Sequence, residues 1–565
     1  MEYYVHLVRE QRTVSAKEGE SLLDVLREAG LKPDAPCGGR GLCGKCLVKV
    51  NGRTVKACET KVSGAMEVDT MIREEEYQIL TKGSARKAVF APDLKAVRIT
   101  VPPCPAGESI SDWTRITKAL EVSDAVNIHA ASHLSPLLKK NEGTVWAVVF
   151  EERILSVSGE EPKLYMAAFD IGTTTVAAYL MDAATGKEVL ISSRKNPQAQ
   201  YGADVINRAN YSLSHGMEEV TGCIRKTVDE MLLEMASEAG IRPEDIYLVS
   251  VAGNTCMHHL FLGIAVDSLV HAPYNPVVEE SVILPARECG LHIHPQGQLL
   301  MLPNIAGFVG ADTSACLVAS DLASQKEWTL LIDIGTNGEM VLGKDGRMAA
   351  CSTAAGPAFE GAGISCGMRG AAGAISHAEY KNGKWEYDVI GGQKPRGICG
   401  SGLLDVAAQL LIHKKMDSSG KLEEADAVTL VEAKDSGTGE PIRLLQKDIR
   451  ELQLAKAAIA AGIHLLSEKM EILVKDISQV WIAGAFGSFL SPDSACAIGL
   501  IPPELKGRIS AIGNAAGEGA KLVLKNKELW KEAQKLARQA EFLELAASPD
   551  FQDCYVDELE FPEWE

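Results

Sequence analysis

Apolar residues alternate with polar ones at Tyr3, Val5 and Leu7, the period of a strand with one buried face. From residue 21 to 29 the period becomes helical and is closed by Gly30; strands follow near 47–50 and 54–57. Residues 1–88 therefore read as a small α+β unit. Pro92, Pro102, Pro103 and Pro105 then stiffen a stretch that the pattern assigns to a linker, 89–107. Helix-like segments with a strand at 145–150 make 108–160 a small middle domain. The apolar run 164–181 is broken by Asp170, Gly172 and three threonines, which suits a buried strand-turn-strand and not a membrane span.

From 161 to 565 the chain repeats one phrase. Apolar strands lead into Asp170-Ile-Gly-Thr-Thr and again into Asp333-Ile-Gly-Thr-Asn, and each is followed by a second apolar stretch. Such self-similarity predicts two related halves closing on a cleft. A third strand runs into Gly484-Ala-Phe-Gly487. Residues 526–545 read as a helix, and the acidic tail 557–565 reads as exposed.

The 57 Lys and Arg residues stand against 76 Asp and Glu, a formal charge of -19, which repels phosphate backbones and excludes nucleic acid and anionic membrane as main partners. The first ten residues lack a basic region followed by a long apolar run, so a cytoplasmic location is expected. In that reducing setting the 14 cysteines are expected as ligands or small buried residues, not as disulfides.

Cys37, Cys43, Cys46 and Cys58 follow the pattern C-x5-C-x2-C-x11-C. Four thiolates this close can enclose one site, and the glycines between them let backbone amides approach the sulfurs. A [2Fe–2S] cluster is the leading reading; a four-cysteine zinc knot is the alternative, although its usual form has two C-x2-C pairs and only one is present here. The loop resembles that of β-grasp ferredoxins, with different gap lengths.

A Gly-Thr turn after a strand can wrap amides and hydroxyls around phosphate oxygens, while an Asp at the strand end holds a hydrated Mg2+ or orients a water. No G-x-x-x-x-G-K-[ST] occurs in the chain, which excludes a P-loop. The two hairpins and the third glycine phrase resemble the superfamily of acetate and sugar kinases, heat-shock chaperone ATPases and actin (ASKHA). That resemblance implies ATP as ligand. Asp170, Gly172, Thr173 and Thr174 would form one phosphate loop, Asp333, Gly335, Thr336 and Asn337 the other, and Gly484 and Gly487 the adenosine contact. Asp333 is the first candidate for Mg2+ or water positioning and catalysis, with Asp170 next. Three segments stay open between a site and plain structure: Gly397–Gly402 as an anion nest or a turn, 351–363 as a cleft loop or a crossover, and the helix around Lys456–Gly462 as an interdomain crossing or ordinary packing. His258 and His259 look ligand-like but diverge on a regular element.

A plant-type cluster lies near about -400 mV, and an uphill one-electron transfer from it costs about 1.4 kcal/mol per 59 mV. Nucleotide-driven closure can offset that cost. The phrases Val251-Ala-Gly-Asn-Thr-Cys-Met-His, Phe308-Val-Gly-Ala-Asp312, Asp333-Ile-Gly-Thr-Asn-Gly-Glu, Gly397-Ile-Cys-Gly-Ser-Gly and Ala483-Gly-Ala-Phe-Gly, with the domain order, resemble the reductive activators of corrinoid-dependent enzymes. The resemblance implies a multidomain α/β chain made of a β-grasp [2Fe–2S] domain, a small α+β middle domain and a two-lobed actin-like ATPase. It implies ATP-dependent reduction of Co(II) to Co(I) on a separate corrinoid protein of a methyltransferase system. An external low-potential donor and a homodimer also follow from it. Two other readings stay open: a metabolite kinase with a redox-sensing appendage, and a non-enzymatic electron-transfer module with a nucleotide sensor.

Overall fold

The computed structural model describes residues 2–31, 46–70, 82–123, 125–202, 204–335, 337–423, 426–545 and 548–564. The N-terminal unit is a five-stranded sheet in the spatial order Arg12–Lys17, Glu2–Leu7, Met66–Asp69, Leu47–Val50, Arg53–Lys56. Glu2–Leu7 pairs antiparallel with its hairpin partner and parallel with Met66–Asp69. Val5, Leu7, Val48 and Val68 form its inner face. The helix Leu22–Glu28 buries Leu22, Leu23, Val25 and Leu26 in the same core, the small α+β unit that the opening pattern predicts and the β-grasp arrangement that the resemblance implies.

The stretch expected as a linker is partly built into sheets. Lys95–Thr100 pairs with Thr144–Phe150, which pairs with Arg153–Ser158, so the small middle sheet begins inside 89–107. Pro102, Pro103 and Pro105 all fall after that strand, where they cost it no ladder bond. The residues just before it are strapped onto the large C-terminal unit. Ser84 N donates to Ile512 O at 2.7 Å, Arg86 N to Ala319 O at 2.8 Å and Ala91 N to Lys525 O at 2.9 Å. Arg86 also pairs with Asp321 at 2.6 Å and Glu532 at 2.5 Å.

The two halves expected from the repeated phrase are two six-stranded sheets. The first runs Glu188–Lys195, Thr175–Asp182, Tyr165–Ile171, Ile246–Gly253, Gln298–Met301, Val282–Pro285. The second runs Ile509–Gly513, Gln479–Ala483, Thr329–Ile334, Gly338–Lys344, Arg347–Thr353, Ala540–Phe542. In each, the Asp-bearing strand forms an antiparallel hairpin with its successor and pairs in parallel with the strand on its other side. Both Asp residues thus sit at the ends of central strands, where ligands of such sheets bind.

The lobes are joined by small residues. The helix Ala515–Lys525 lies on the first lobe, where Ser250 Oγ donates to Ala520 O at 2.7 Å. A Cβ on Gly519 would come within 2.0 Å of Ala315 O on the helix Ala311–Ser320, so only glycine permits this crossing. The helix Gln446–Lys469 packs on its own lobe instead, with Gly462 closed against Met340.

Two expectations are corrected. The helix expected over 526–545 ends at Gln539, and Ala540–Phe542 pairs with Arg347–Thr353, because a free sheet edge was available. The tail expected to be exposed is anchored. Phe561 is buried, Trp564 Nε1 donates to Ala497 O at 3.0 Å, and the buried Lys456 ammonium binds Glu560 O and Glu558. The tail's acidity is answered by a cation that periodicity places in the core. No helix among the described residues is long and apolar enough to cross a membrane.

Candidate functional site

Between the lobes lies a cavity of about 300 Å³ whose wall includes Asp170, Gly172, Thr173, Thr174, Asp333, Gly335, Asn337 and Gly484. Residues predicted from phrases far apart in the chain are therefore brought to one place. Thr336 lies outside the described residues. Gly487 is not on the wall: a Cβ there would come within 2.4 Å of Ile482 Cγ2, so this glycine serves helix–strand packing. Gly484 has φ +83° and faces Asp333, whose Oδ1 would lie 2.7 Å from an added Cβ. The position needs glycine both for its left-handed backbone and for the carboxylate beside it.

The first phosphate-type loop is held from behind. Asn196 donates from Nδ2 to Gly172 O and from its backbone N to Thr174 O, both at 2.8 Å. Arg208, fully buried, donates to Thr173 O and, at 2.9 Å, to Gly202 O. Burial pulls its guanidinium down to about 10, which leaves it charged at neutral pH. Asn254 caps the helix Thr255–Leu262 through Met257 N and reaches Thr173 Oγ1 at 2.9 Å, leaving that hydroxyl its own proton to donate. Arg208→Met should strand two buried carbonyls and cost roughly 2–4 kcal/mol of stability. Denaturant unfolding checks this as a lower midpoint with unchanged slope.

Five carboxylates line the cavity: Asp170, Asp312, Asp333, Glu339 and Glu360. Enclosure away from bulk water pushes Asp170 and Asp312 up to about 7 and Asp333 up to about 6, and it raises Glu339 further. The negative charges nearby add to the rise at Asp170, Asp312 and Glu339. Such a cluster is costly unless a cation neutralises it. Asp170 is tied by Asn514 Nδ2 at 2.9 Å, and Asn514 also caps the helix Ala515–Lys525 and accepts Gly517 N at 2.8 Å.

Sequence reasoning missed Asp312, Glu339, Asn196, Arg208, Asn254 and Asn514 as site residues. Glu339 carried a signal, a charge directly before the apolar stretch 340–342 of the strand Gly338–Lys344. Asp312, Asn254 and Asn514 look like ordinary helix-start residues, and nothing local marks Arg208. Of the open segments, Cys399, Gly400 and Ser401 reach the wall, as do Phe359 and Glu360. Gly400 and Gly402 are also explained by close contact with Phe359 O and Ile375 O. His259 donates to Thr255 O and accepts from Val277 N, a structural role; among the described residues no group of three or more His, Cys, Asp or Glu side chains is placed to hold a metal ion.

In the N-terminal unit, Cys46 and Cys58 place their sulfurs 3.2 Å apart, Cys46 buried and Cys58 half-buried. That is too far for a disulfide, near 2.05 Å, and close enough for two thiolates to share one iron. Cys37 and Cys43 lie outside the described residues.

Fold and site together define the class: a two-lobed actin-like ATPase carrying its own ferredoxin-like iron–sulfur domain. Family models match along the chain, the "2Fe-2S iron-sulfur cluster binding domain" over 5–80, the "RACo linker region" over 83–163, the "RACo middle region" over 165–325 and the "C-terminal domain of RACo the ASKHA domain" over 327–565. The chain is 35% identical to the corrinoid activation enzyme RamQ of Eubacterium limosum, covering 95% of each chain. It is 25% identical to the [Co(II) methylated amine-specific corrinoid protein] reductase of Methanosarcina barkeri, covering 70% of this chain and 77% of that one. A solved structure of a reductive activator for corrinoid,iron-sulfur protein matches with TM-score 0.76 and 30% identity over 99% of this chain and 98% of the other. The chain belongs to the family of reductive activators of corrinoid proteins.

Proposed function

We propose that this chain uses ATP hydrolysis to drive one-electron reduction of a Co(II) corrinoid, held on a separate methyltransferase-system protein, to Co(I). The observation that carries this reading is the pairing, in one chain, of juxtaposed cluster cysteines with two Asp-Ile-Gly-Thr hairpins facing a single carboxylate-lined cavity. A [2Fe–2S] cluster bound at Cys37, Cys43, Cys46 and Cys58 would supply the low-potential electron. An external donor of still lower or equal potential would restore it.

The residues of the cleft do the rest. Gly172, Thr173 and Thr174 on one lobe and Gly335, Thr336 and Asn337 on the other grip phosphate oxygens from two sides, so bound nucleotide draws the lobes together. Asp333 would hold Mg2+ or orient the attacking water, with Asp170, fixed by Asn514, beside it. The strap of residues 82–91 joins this motion to the iron–sulfur domain, since Lys82 O accepts from the backbone N of Asn514, the residue that fixes Asp170. Closure and release thus become movements of the tether that carries the iron–sulfur domain.

The test mixes the reduced, cluster-loaded protein with a Co(II) corrinoid protein and follows the Co(I) absorption band. The band is expected to grow only with ATP and to track release of free phosphate. Equal growth without ATP would favour the electron-transfer module, and labelled phosphate on a small molecule would favour the kinase.

A further inference from the structure

Among the described residues lining the cleft, the cationic side chains are Lys195 and Arg369. The second is engaged in an unusual way. Thr174, in the first lobe's phosphate-type loop, donates from Oγ1 to Glu360 Oε2 at 3.0 Å, and the same oxygen lies 3.4 Å from Arg369 Nη2. Glu360 belongs to the opposite lobe, on the short turn Pro357–Glu360. That turn is held rigidly: Phe359 stacks on Phe486 at 4.9 Å between ring centroids, and its carbonyl presses on Gly400. One carboxylate oxygen thus receives a loop hydroxyl and a guanidinium at the wall of the cavity. Those are the donors that a phosphate oxygen would take there. The carboxylate reaches this place although Asp170, Asp312, Asp333 and Glu339 already make the cavity negative, so the contact is held by its two donors and not by the field around it.

We propose that Arg369 is a phosphate-binding residue of the cleft, and that Glu360 occupies the phosphate's place between Arg369 and Thr174 until nucleotide displaces it. This rests on the reading of the cleft as an ATP site. Displacement frees the one hydrogen bond described here that ties the first phosphate loop to the Pro357–Glu360 turn, and it transfers two donors from an internal anion to the ligand. Adenosine, without phosphates, has nothing with which to compete for them.

Calorimetric titration of the full chain with a non-hydrolysable ATP analogue plus Mg2+, and separately with adenosine, tests this. Arg369→Met should weaken analogue binding about tenfold or more, the equivalent of one lost charge-assisted hydrogen bond. Glu360→Gln keeps an acceptor for Thr174 but removes the competing charge, and should tighten analogue binding about three- to tenfold. Adenosine affinity should stay within about twofold of wild type in both variants, which also shows that the cleft is folded. Unchanged analogue binding by Arg369→Met, weaker binding by Glu360→Gln, or parallel loss of both ligands would overturn the proposal. Wild-type protein that binds neither ligand would instead overturn the ATP reading beneath it.

Discussion

Asp333→Asn is expected to abolish ATP-driven formation of Co(I) while leaving iron content and the visible spectrum of the protein intact. The substitution is nearly isosteric, so Gly484, which packs against Asp333 Oδ1, meets no larger group. What changes is charge. Asp333 stands in the cavity at the end of a central strand, and enclosure raises its carboxyl to about 6, still mostly ionised at neutral pH. An ionised carboxylate there can bind a divalent cation or accept a proton from water; a neutral amide does neither well. The expected loss in ATP turnover is roughly 10²- to 10⁴-fold, or about 3–5 kcal/mol of barrier. Phosphate release measured alongside cobalt reduction checks it. A variant that hydrolyses ATP at the wild-type rate would remove Asp333 from the reaction. Asp170→Asn should cost less, because Asp170 already shares its charge with Asn514 and acts beside Asp333.

Cys58→Ser is expected to do the reverse. A hydroxyl at this position is a poor iron ligand at neutral pH, so iron content, visible absorption and the spin-resonance signal of the reduced protein should fall sharply, and Co(I) formation should become undetectable. ATP binding should remain within about twofold of wild type by calorimetry. The reason is architectural: Cys58 packs against the core of Val5, Leu22 and Val48, whereas the hairpins of the cleft sit on the separate cores of the two lobes. If the serine variant kept full iron and full reductive activity, Cys58 would not be a ligand of the cluster. The two substitutions together separate the electron path from the fuel path within one polypeptide.

These functions were unevenly legible in the chain. The cysteine spacing and the doubled Asp-Ile-Gly-Thr phrase are local patterns, and local patterns survive in a linear text. So do the continuous apolar runs that become strands such as Tyr165–Ile171 and Thr329–Ile334, because a central strand is buried on both faces. The carboxylate cluster was half legible: Asp170 and Asp333 open the repeated phrase at strand ends, while Asp312 and Glu339 lie in quoted phrases whose local pattern gives them no role, and they join the cavity only because a helix start and a neighbouring strand meet there. The tail around Phe561 was misjudged because its acidity is visible and its partner, Lys456, is about a hundred residues away in the chain.

What the amino-acid sequence determined by itself is the kind of chemistry: thiolates for iron, glycine turns for phosphate and strand-end acids for a cation. What only the tertiary structure decided is which groups from opposite lobes meet, as Thr174 meets Glu360 and Arg369, and what holds them there, as Arg208 and Asn196 hold the first loop. The physical reason is that a residue's chemistry is carried by its own side chain, whereas its charge state, orientation and partners are set by neighbours that the folded chain alone brings within a few ångströms.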